Sequence, residues 1–262
     1  MELFGYLSSI IVGLILGILG GGGSILSIPI LVYLFGVDPV MASAYSLFIV
    51  GATSLVGAIP KYKEQLVDLR TGLVFGIPSI VAIFSTRKWV VPAIPDVLFY
   101  IGEYALTKRI LLLGVFALLM VLASIAMITK RAEVESNDDR FYFTYLVVQG
   151  LLIGFLTGLV GAGGGFLIIP ALVLLTGLPF KTAVGTSLFI IAVNSLSGFL
   201  GDVLNHTIEW KFLLTITGLA IVGILIGNRF AQKLPAKKLR QVFGWFTLIM
   251  GSWILMKELI FQ

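Results

Sequence analysis

Eight long apolar runs are the feature that most constrains how this chain of 262 residues can fold. Only 12% of the residues are charged, against about 25% in a typical soluble domain. So few charges cannot cover a water-facing surface, and the runs are longer than the strand of about ten residues that a membrane barrel uses. The sequence therefore predicts an all-α polytopic membrane protein, with apolar runs at roughly 3–35, 43–60, 69–85, 108–129, 141–178, 182–204, 211–228 and 240–261.

Two of these runs are interrupted by glycines and are too long for one membrane crossing of about 20 residues. The first contains GGGGS at residues 20–24, and the second contains GAGGG at residues 161–165. Each Gly costs about 1 kcal/mol relative to Ala inside a helix, so a cluster of them ends it. Each run is therefore predicted to form a helix, a break and a half-helix, with half-helices at residues 24–34 and 165–175.

The two interrupted runs are copies of each other. A shift of 141 residues aligns 20–60 with 161–201 without a gap, and 18 of these 41 pairs are identical. The duplication divides the chain into an N-terminal membrane repeat at residues 1–129, a polar cytoplasmic linker at 130–140 and a C-terminal membrane repeat at 141–262.

The distribution of positive charge predicts that the two repeats are inverted. If each interrupted run enters the membrane and returns, 12 of the 18 Lys and Arg residues fall on one face. A single crossing by each run would divide them 8 and 10, whereas cytoplasmic loops carry an excess of positive charge. Each repeat then has five elements, an odd number. The prediction is about eight full spans and two half-helices, with both termini outside the cell.

The glycine breaks are the first candidate binding site. A half-helix that begins at membrane depth directs free backbone N–H groups and a positive dipole end at an anion, as in transporters with inverted repeats. Close packing of helices through small residues is the alternative interpretation. The residues expected to contact an anion there are Gly21, Gly22, Gly23, Ser24, Gly163, Gly164 and Gly165.

Small polar residues follow each half-helix at equivalent positions, and their spacing of seven or eight keeps them near one helical face. They offer an oxyanion neutral donors, whereas their alternative role is hydrogen bonding between helices. The first copy supplies Tyr45, Ser46, Thr53 and Ser54, and the second supplies Thr186, Ser187, Asn194 and Ser195.

Three cations follow equivalent apolar spans, namely Arg87, Lys88 and Arg229. Such residues usually set membrane topology. The alternative is a cation in the vestibule of an anion path, where Arg suits bidentate contact with a sulfonate or carboxylate.

Several classes of function are disfavoured by what the chain lacks. It has no cysteine, no catalytic motif such as HExxH or GxSxG, and no basic domain outside the spans, so no enzyme activity, metal site, cofactor or nucleic-acid partner is expected. No Asp, Glu or His lies in the middle of an apolar run, so tight proton coupling is not evident. This absence favours a passive anion channel as the alternative to a transporter.

The repeated motifs resemble the sulfite exporter TauE/SafE family. The resemblance rests on GGGGSILSIP and GAGGGFLIIP, YSLFIVGATSLVGA and TSLFIIAVNSLSGF, RKWVVPAIP, and GNRFAQKLP, and it covers essentially the whole chain. The segment VLFYIGEYALTK at residues 97–108 has no counterpart in the second half. The resemblance implies movement of sulfite, an organosulfonate or a related small anion across the bacterial cytoplasmic membrane.

The sequence thus predicts a secondary transporter, an exporter of a small sulfur-containing or organic anion that works by alternating access. The open alternatives are a passive anion channel, a transporter of an organic anion without sulfur, and a membrane scaffold that transports nothing. The expected partners are the anion and the lipid bilayer, with homo-oligomerisation left open.

Overall fold

The computed structural model describes residues 2–101, 104–129, 139–160, 164–204 and 207–260, and nearly all of them are helical. The helices are α1 (Glu2–Leu19), α2 (Gly22–Tyr33), α3 (Pro39–Lys63), α4 (Leu69–Ser85), α5 (Val91–Ala93), α6 (Lys108–Thr129), α7 (Asp139–Val160), α8 (Gly165–Leu175), α9 (Phe180–Val203), α10 (Trp210–Lys233) and α11 (Ala236–Ile260). A π-helical segment, Thr86–Val90, joins α4 to α5. The predicted class, an all-α polytopic membrane protein, is confirmed.

Both interrupted runs form the helix, break and half-helix that their glycines predict. The first break separates α1 from α2, which has 12 residues, and the second separates α7 from α8, which has 11. At 1.5 Å per residue these half-helices are about 18 Å and 16 Å long, too short to cross the hydrocarbon core. Most of the predicted linker, residues 130–138, lies outside the described residues.

Within the described ranges, seven helices are long and apolar enough to cross a membrane. About eight were predicted, and the difference is α1, whose apolar stretch Phe4–Leu19 is shorter than the others. The chain is an integral, multi-pass membrane protein.

The third apolar run does not end where its charges suggest. The run was expected to stop at residue 85, with Arg87 and Lys88 after it, but one apolar helical span continues from Leu69 to Ala93. The π-helical segment carries both cations inside this span. A charged pair interrupts hydropathy without interrupting a helical backbone, so the expected boundary was wrong.

The segment without a repeat counterpart forms the hairpin of β1 (Val97–Ile101) and β2 (Tyr104–Thr107). The strands pair antiparallel, with Val97 opposite Thr107 and Ile101 opposite Tyr104. Aromatic and β-branched residues favour extended backbone, which is why this stretch departs from the helical pattern.

The helices pack mainly across the two halves rather than within them. In the first half Gly13 of α1 lies against Ala220 of α10, and in the second half Gly154 of α7 lies against Ser79 of α4. These two contacts are related by the shift of 141 residues. The core therefore sits between the halves, which interlock.

Helices α3 and α9 cross at the centre of the bundle and run antiparallel. Gly51 of α3 contacts Leu196 of α9, whereas Gly198, further along α9, contacts Leu47, nearer the start of α3. The end of α3 and the start of α9 therefore lie at one end of the bundle, which we call the Lys61 end. The start of α3 and the end of α9 lie at the other, the Arg87 end.

We expect Gly154→Ala to destabilise the protein, because a Cβ there would lie 2.5 Å from the carbonyl oxygen of Ser79. Overpacking of this kind costs about 1–3 kcal/mol. The matched control is Gly218→Ala on α10, where a Cβ has nothing within 4 Å. Melting temperatures in detergent should fall for Gly154→Ala alone, and equal values for the two variants would contradict the packing described here.

Candidate functional site

The two glycine breaks meet backbone to backbone. Gly21, the N-cap of α2, lies against Gly165, the first residue of α8, so closely that a Cβ on Gly21 would stand 2.4 Å from the Gly165 carbonyl carbon. Gly164, the N-cap of α8, has a φ of 72°, a left-handed conformation that favours glycine. The structure therefore brings the N-termini of both half-helices to one place, with glycine as the residue that allows it.

One buried hydroxyl contacts the second break, and another lies one helical turn from a residue that does. The side chain of Thr157 on α7 reaches Gly164, and Ile191 on α9 contacts Gly165. Ser195 lies one turn beyond Ile191, on the neighbouring part of the same helical face. The hydroxyl oxygens of Thr157 and Ser195 are buried and have no hydrogen-bond partner in the described part of the chain.

Thr157 is a candidate that sequence reasoning missed. It is the only polar side chain between Leu151 and Gly165, the stretch that leads into the second glycine cluster. That isolation was the available signal. Thr157 precedes the break, whereas the polar residues with the regular spacing all follow the half-helices.

The first break is less polar than the second. Leu16 occupies the position equivalent to Thr157, and Gly23 packs against it. The buried hydroxyl of Ser54 has no hydrogen-bond partner among the described residues. Gly22 begins α2, while Gly163 and the side chain of Ser24, both predicted to bind, lie outside what the structure describes.

Two of the predicted hydroxyls fasten the ends of neighbouring helices. Thr186 Oγ1 accepts a hydrogen bond of 2.9 Å from the backbone N–H of Asp68, which precedes α4. Tyr45 Oη accepts one of 3.1 Å from the backbone N–H of Glu209, which precedes α10. The two bonds are repeat equivalents, so each repeat uses this position to anchor the start of a helix in the other repeat.

The other predicted polar residues divide into satisfied and unsatisfied groups. Ser46 bonds to Ser27 of α2, and Ser187 donates to the carbonyl of Val184. Asn194 bonds to Ser79 of α4.

Thr53, the repeat equivalent of Asn194, is buried without a hydrogen-bond partner in the described ranges. The reason lies in its surroundings, because Ala220 stands where the other repeat has Ser79.

The three predicted cations lie in different environments. Arg87 is fully buried, and its Nη1 is 2.9 Å from Ser43 Oγ and 3.6 Å from Asp202 Oδ1. Lys88 is partly buried, with Nζ 5.3 Å from the ring centroid of Trp89. Arg229 is exposed on α10. Asp202, near the end of the apolar run 182–204, is also buried and faces Arg87.

A pocket of about 440 Å³ opens at the Lys61 end. Lys61 is only 4% exposed yet lines this pocket together with Lys181. Lys61 Nζ is 3.5 Å from Glu64 Oε2, and Gln232 of α10 donates to the other Glu64 oxygen at 2.5 Å. The lining of this pocket includes two cations and one carboxylate, so its net charge is positive and attracts anions.

A second pocket, of about 1030 Å³, opens at the Arg87 end between the starts of α3 and α10. Its charged lining residues are Asp38 and Glu209. This pocket therefore differs in charge from the pocket at the Lys61 end, while a neighbouring pocket contains both Glu209 and Lys211.

Tyr45→Phe should lower the free energy of unfolding by about 1–2 kcal/mol, because it leaves the Glu209 N–H without its acceptor. Tyr62→Phe is the control, since Tyr62 is exposed at the other end of α3. Chemical denaturation in detergent measures the difference, and unchanged stability in Tyr45→Phe would contradict the anchoring role.

Comparison with known proteins identifies the family. A family model described as "Sulfite exporter TauE/SafE" matches residues 6–254. A probable membrane transporter protein of Xylella fastidiosa is 28% identical over 255 residues, covering 95% of this chain and 92% of the relative. The probable membrane transporter protein YunE of Bacillus subtilis is 27% identical, covering 92% and 94%.

The similarity extends to archaea. The probable membrane transporter protein MJ0441 of Methanocaldococcus jannaschii is 27% identical over 266 residues, with 94% of each chain covered. No solved structure matches the chain. Because the family model spans nearly all of the sequence and the relatives align over almost their full lengths, this chain belongs to the sulfite exporter TauE/SafE family of membrane transporters.

Proposed function

We propose that this protein is a secondary transporter that moves a small sulfur-containing or organic anion, such as sulfite or an organosulfonate, out of the cell. The family's description supports the substrate class. The observation that carries the proposal is the meeting of two half-helix N-termini at Gly21 and Gly165, beside the unpartnered hydroxyls of Thr157 and Ser195.

The chemistry of this place suits an anion. A helix N-terminus carries about half a positive charge and leaves backbone N–H groups without partners inside the helix. Thr157 and Ser195 add neutral O–H donors and do not require a cation to be buried. A hydroxyl without a partner in a water-poor interior has a free-energy cost that an anion would remove by accepting its hydrogen bond.

The packing supports an inverted repeat and alternating access. The repeat-equivalent helices α3 and α9 cross antiparallel. The packing of α1 against α10 has its equivalent in the packing of α7 against α4. When equivalent membrane helices point in opposite directions, rocking one repeat against the other exposes a central site first to one side and then to the other.

The pockets support the direction of movement. The pocket at the Lys61 end is lined by Lys61 and Lys181, two of the 12 basic residues that the charge distribution assigns to the cytoplasmic face. The pocket at the Arg87 end is lined by Asp38 and Glu209. A basic entrance concentrates an anion from the cytoplasm, and an acidic exit disfavours its return.

A proteoliposome assay tests the transport activity. Purified protein is reconstituted, and uptake of sulfite, sulfoacetate and acetate is measured with and without an imposed pH gradient. Accumulation of an anion above its equilibrium distribution supports a transporter. Flux that only dissipates the anion gradient identifies a passive channel, and absence of flux for all three anions identifies a scaffold.

Thr157→Val and Ser195→Ala should each weaken binding of the transported anion about tenfold, because a hydrogen bond to a charged group contributes about 1.5–3 kcal/mol. Neither variant should lower the melting temperature without the anion, since each removes a buried polar group that has no partner. Isothermal titration calorimetry and thermal unfolding on the same samples measure both effects.

Thr247→Val is the matched control for the binding measurement. Thr247 is also fully buried, but its hydroxyl donates to the carbonyl of Phe243 on α11. This variant should lose some stability and retain its affinity. Unchanged affinity in both Thr157→Val and Ser195→Ala would exclude the second break as the binding site.

Lys181→Gln should raise the KM for sulfite entering from the Lys61 end by about threefold at low ionic strength, because it removes one of two cations from the pocket wall. The effect should shrink at 0.5 M salt, where charges are screened. Lys237→Gln, at an exposed position of α11, is the control. An equal KM for both variants in oriented proteoliposomes would argue against this pocket as the entrance.

A further inference from the structure

The guanidinium of Arg87 is fully buried, and only part of it has a partner. Its Nη1 faces Ser43 and Asp202, whereas Nε and Nη2 have no hydrogen-bond partner in the described part of the chain. We propose that this free edge of Arg87 binds an oxyanion, as a second station on the path that begins at the glycine breaks. This inference rests on the proposed function and adds a second binding residue to it.

The two unpartnered nitrogens are the pair that suits such a ligand. Nε and Nη2 lie on the same edge of the planar guanidinium, so one N–H of each points in the same direction. Two parallel N–H donors match two oxygens of a sulfonate, sulfite or carboxylate in a bidentate pair. A halide has one centre and cannot occupy both donors in this way. The site therefore favours oxyanions over chloride.

A purely structural ion pair between Arg87 and Asp202 explains the unpartnered nitrogens less well than an anion site does. The Nη1–Asp202 distance of 3.6 Å is longer than a charge-assisted hydrogen bond. Buried Arg normally has its donors satisfied, and leaving two without partners is costly in a water-poor interior. Asp202 balances the positive charge when no anion is present, and the free edge stays available for one.

The repeat shows that the fold does not require this ion pair. The shift of 141 residues places Asn228 at the position of Arg87 and Lys61 at the position of Asp202. There Asn228 Nδ2 donates to the carbonyl of Gly57, at 3.2 Å, across α10 and α3. At the Lys61 end, the equivalent helices α10 and α3 therefore pack together without a buried ion pair at these positions. Arg87 is a specific feature of the other end.

The surrounding helices hold Arg87 in place. Gly201 of α9 lies against its Cβ, and Gly158 of α7 lies against Thr86, the neighbouring residue in the π-helical segment. Such segments often occur at functional sites because they reposition one side chain within a helix. Gly158, Gly201 and the π-helical segment therefore leave space for the side chain of Arg87 in the interior of the bundle.

The position of Arg87 fits a path for the anion. Asp202 follows Ser195 by seven residues on α9, which is two turns or about 10 Å. Ser195 lies one turn from Ile191, which contacts Gly165 of the second break, so Arg87 and Asp202 lie further along α9, toward its end. Full burial closes the free edge to bulk water in this conformation, and the edge becomes reachable when the repeats move. An anion leaving the break would next meet Arg87.

The test measures binding of sulfoacetate and of chloride to the purified full chain by isothermal titration calorimetry. Arg87→Lys keeps the charge but replaces the planar fork by one point donor, so it should weaken sulfoacetate binding at least tenfold. Arg87→Gln combined with Asp202→Asn removes both charges together, avoids an uncompensated buried ion and should have the same effect. Melting temperatures report whether each variant folds.

Arg240→Lys is the control, because Arg240 is partly buried and its Nε donates to the carbonyl of Met127 at 3.1 Å. It should retain the wild-type affinity. Sulfoacetate affinity within threefold of wild type in folded Arg87→Lys or in the folded double variant overturns the assignment, as does equal affinity of the wild-type chain for chloride. Absence of any anion binding by wild type instead contradicts the proposed function itself.

A structure of the wild-type chain with saturating sulfoacetate decides the assignment without depending on any variant. Density that bridges Nε and Nη2 of Arg87 supports it. A bound anion at the glycine breaks with the Arg87 edge empty in every conformation observed overturns it and leaves the proposed function intact.

Discussion

The structure depends on one contact, the approach of two helix breaks at Gly21 and Gly165. A backbone that leaves its helix inside a membrane exposes N–H groups that lipid cannot satisfy. Such a break persists only where protein covers it or where a polar ligand occupies it. The two backbones approach so closely that a side chain at Gly21 or Gly165 would collide with the backbone of the other break. Each break therefore covers the other, and the half-helices begin from a shared centre.

Around this centre, helix pairs at equivalent sequence positions pack together. Equivalent glycines, Gly13 and Gly154, let α1 pack closely on α10 and α7 on α4. The functional candidates lie where the two repeats differ. Leu16 is the sequence equivalent of Thr157, and among the described residues the buried cations are Lys61 at one end and Arg87 at the other. Under the proposed function, these departures distinguish the two ends of the anion path.

Local sequence patterns predicted the breaks because glycine acts through the backbone of its own segment. Duplication strengthened that prediction and placed Thr53 and Asn194 at equivalent positions. It did not predict that Asn194 would have Ser79 as a partner while Thr53 has none, since that difference depends on whether α4 or α10 supplies a polar residue there.

Arg87 shows the limit of hydropathy most directly. A charged residue after an apolar run resembles the Lys and Arg residues that flank membrane helices, so the predicted span ends at residue 85, before Arg87. Its burial depends on Asp202, which is 115 residues away in sequence, and on the π-helical segment that turns it inward. A one-dimensional average of hydropathy contains no information about a compensating charge on another helix.

The sequence by itself determined the membrane location, the helical class, the duplication and the two half-helices, because hydrophobicity, helix propensity and repeat identity are properties of contiguous segments. Only the tertiary structure decided which polar groups lack partners, which cations are buried and which ends carry pockets. Those properties depend on the neighbours that helices from the opposite repeat supply, and the interlocking of the two halves is what brings those neighbours together.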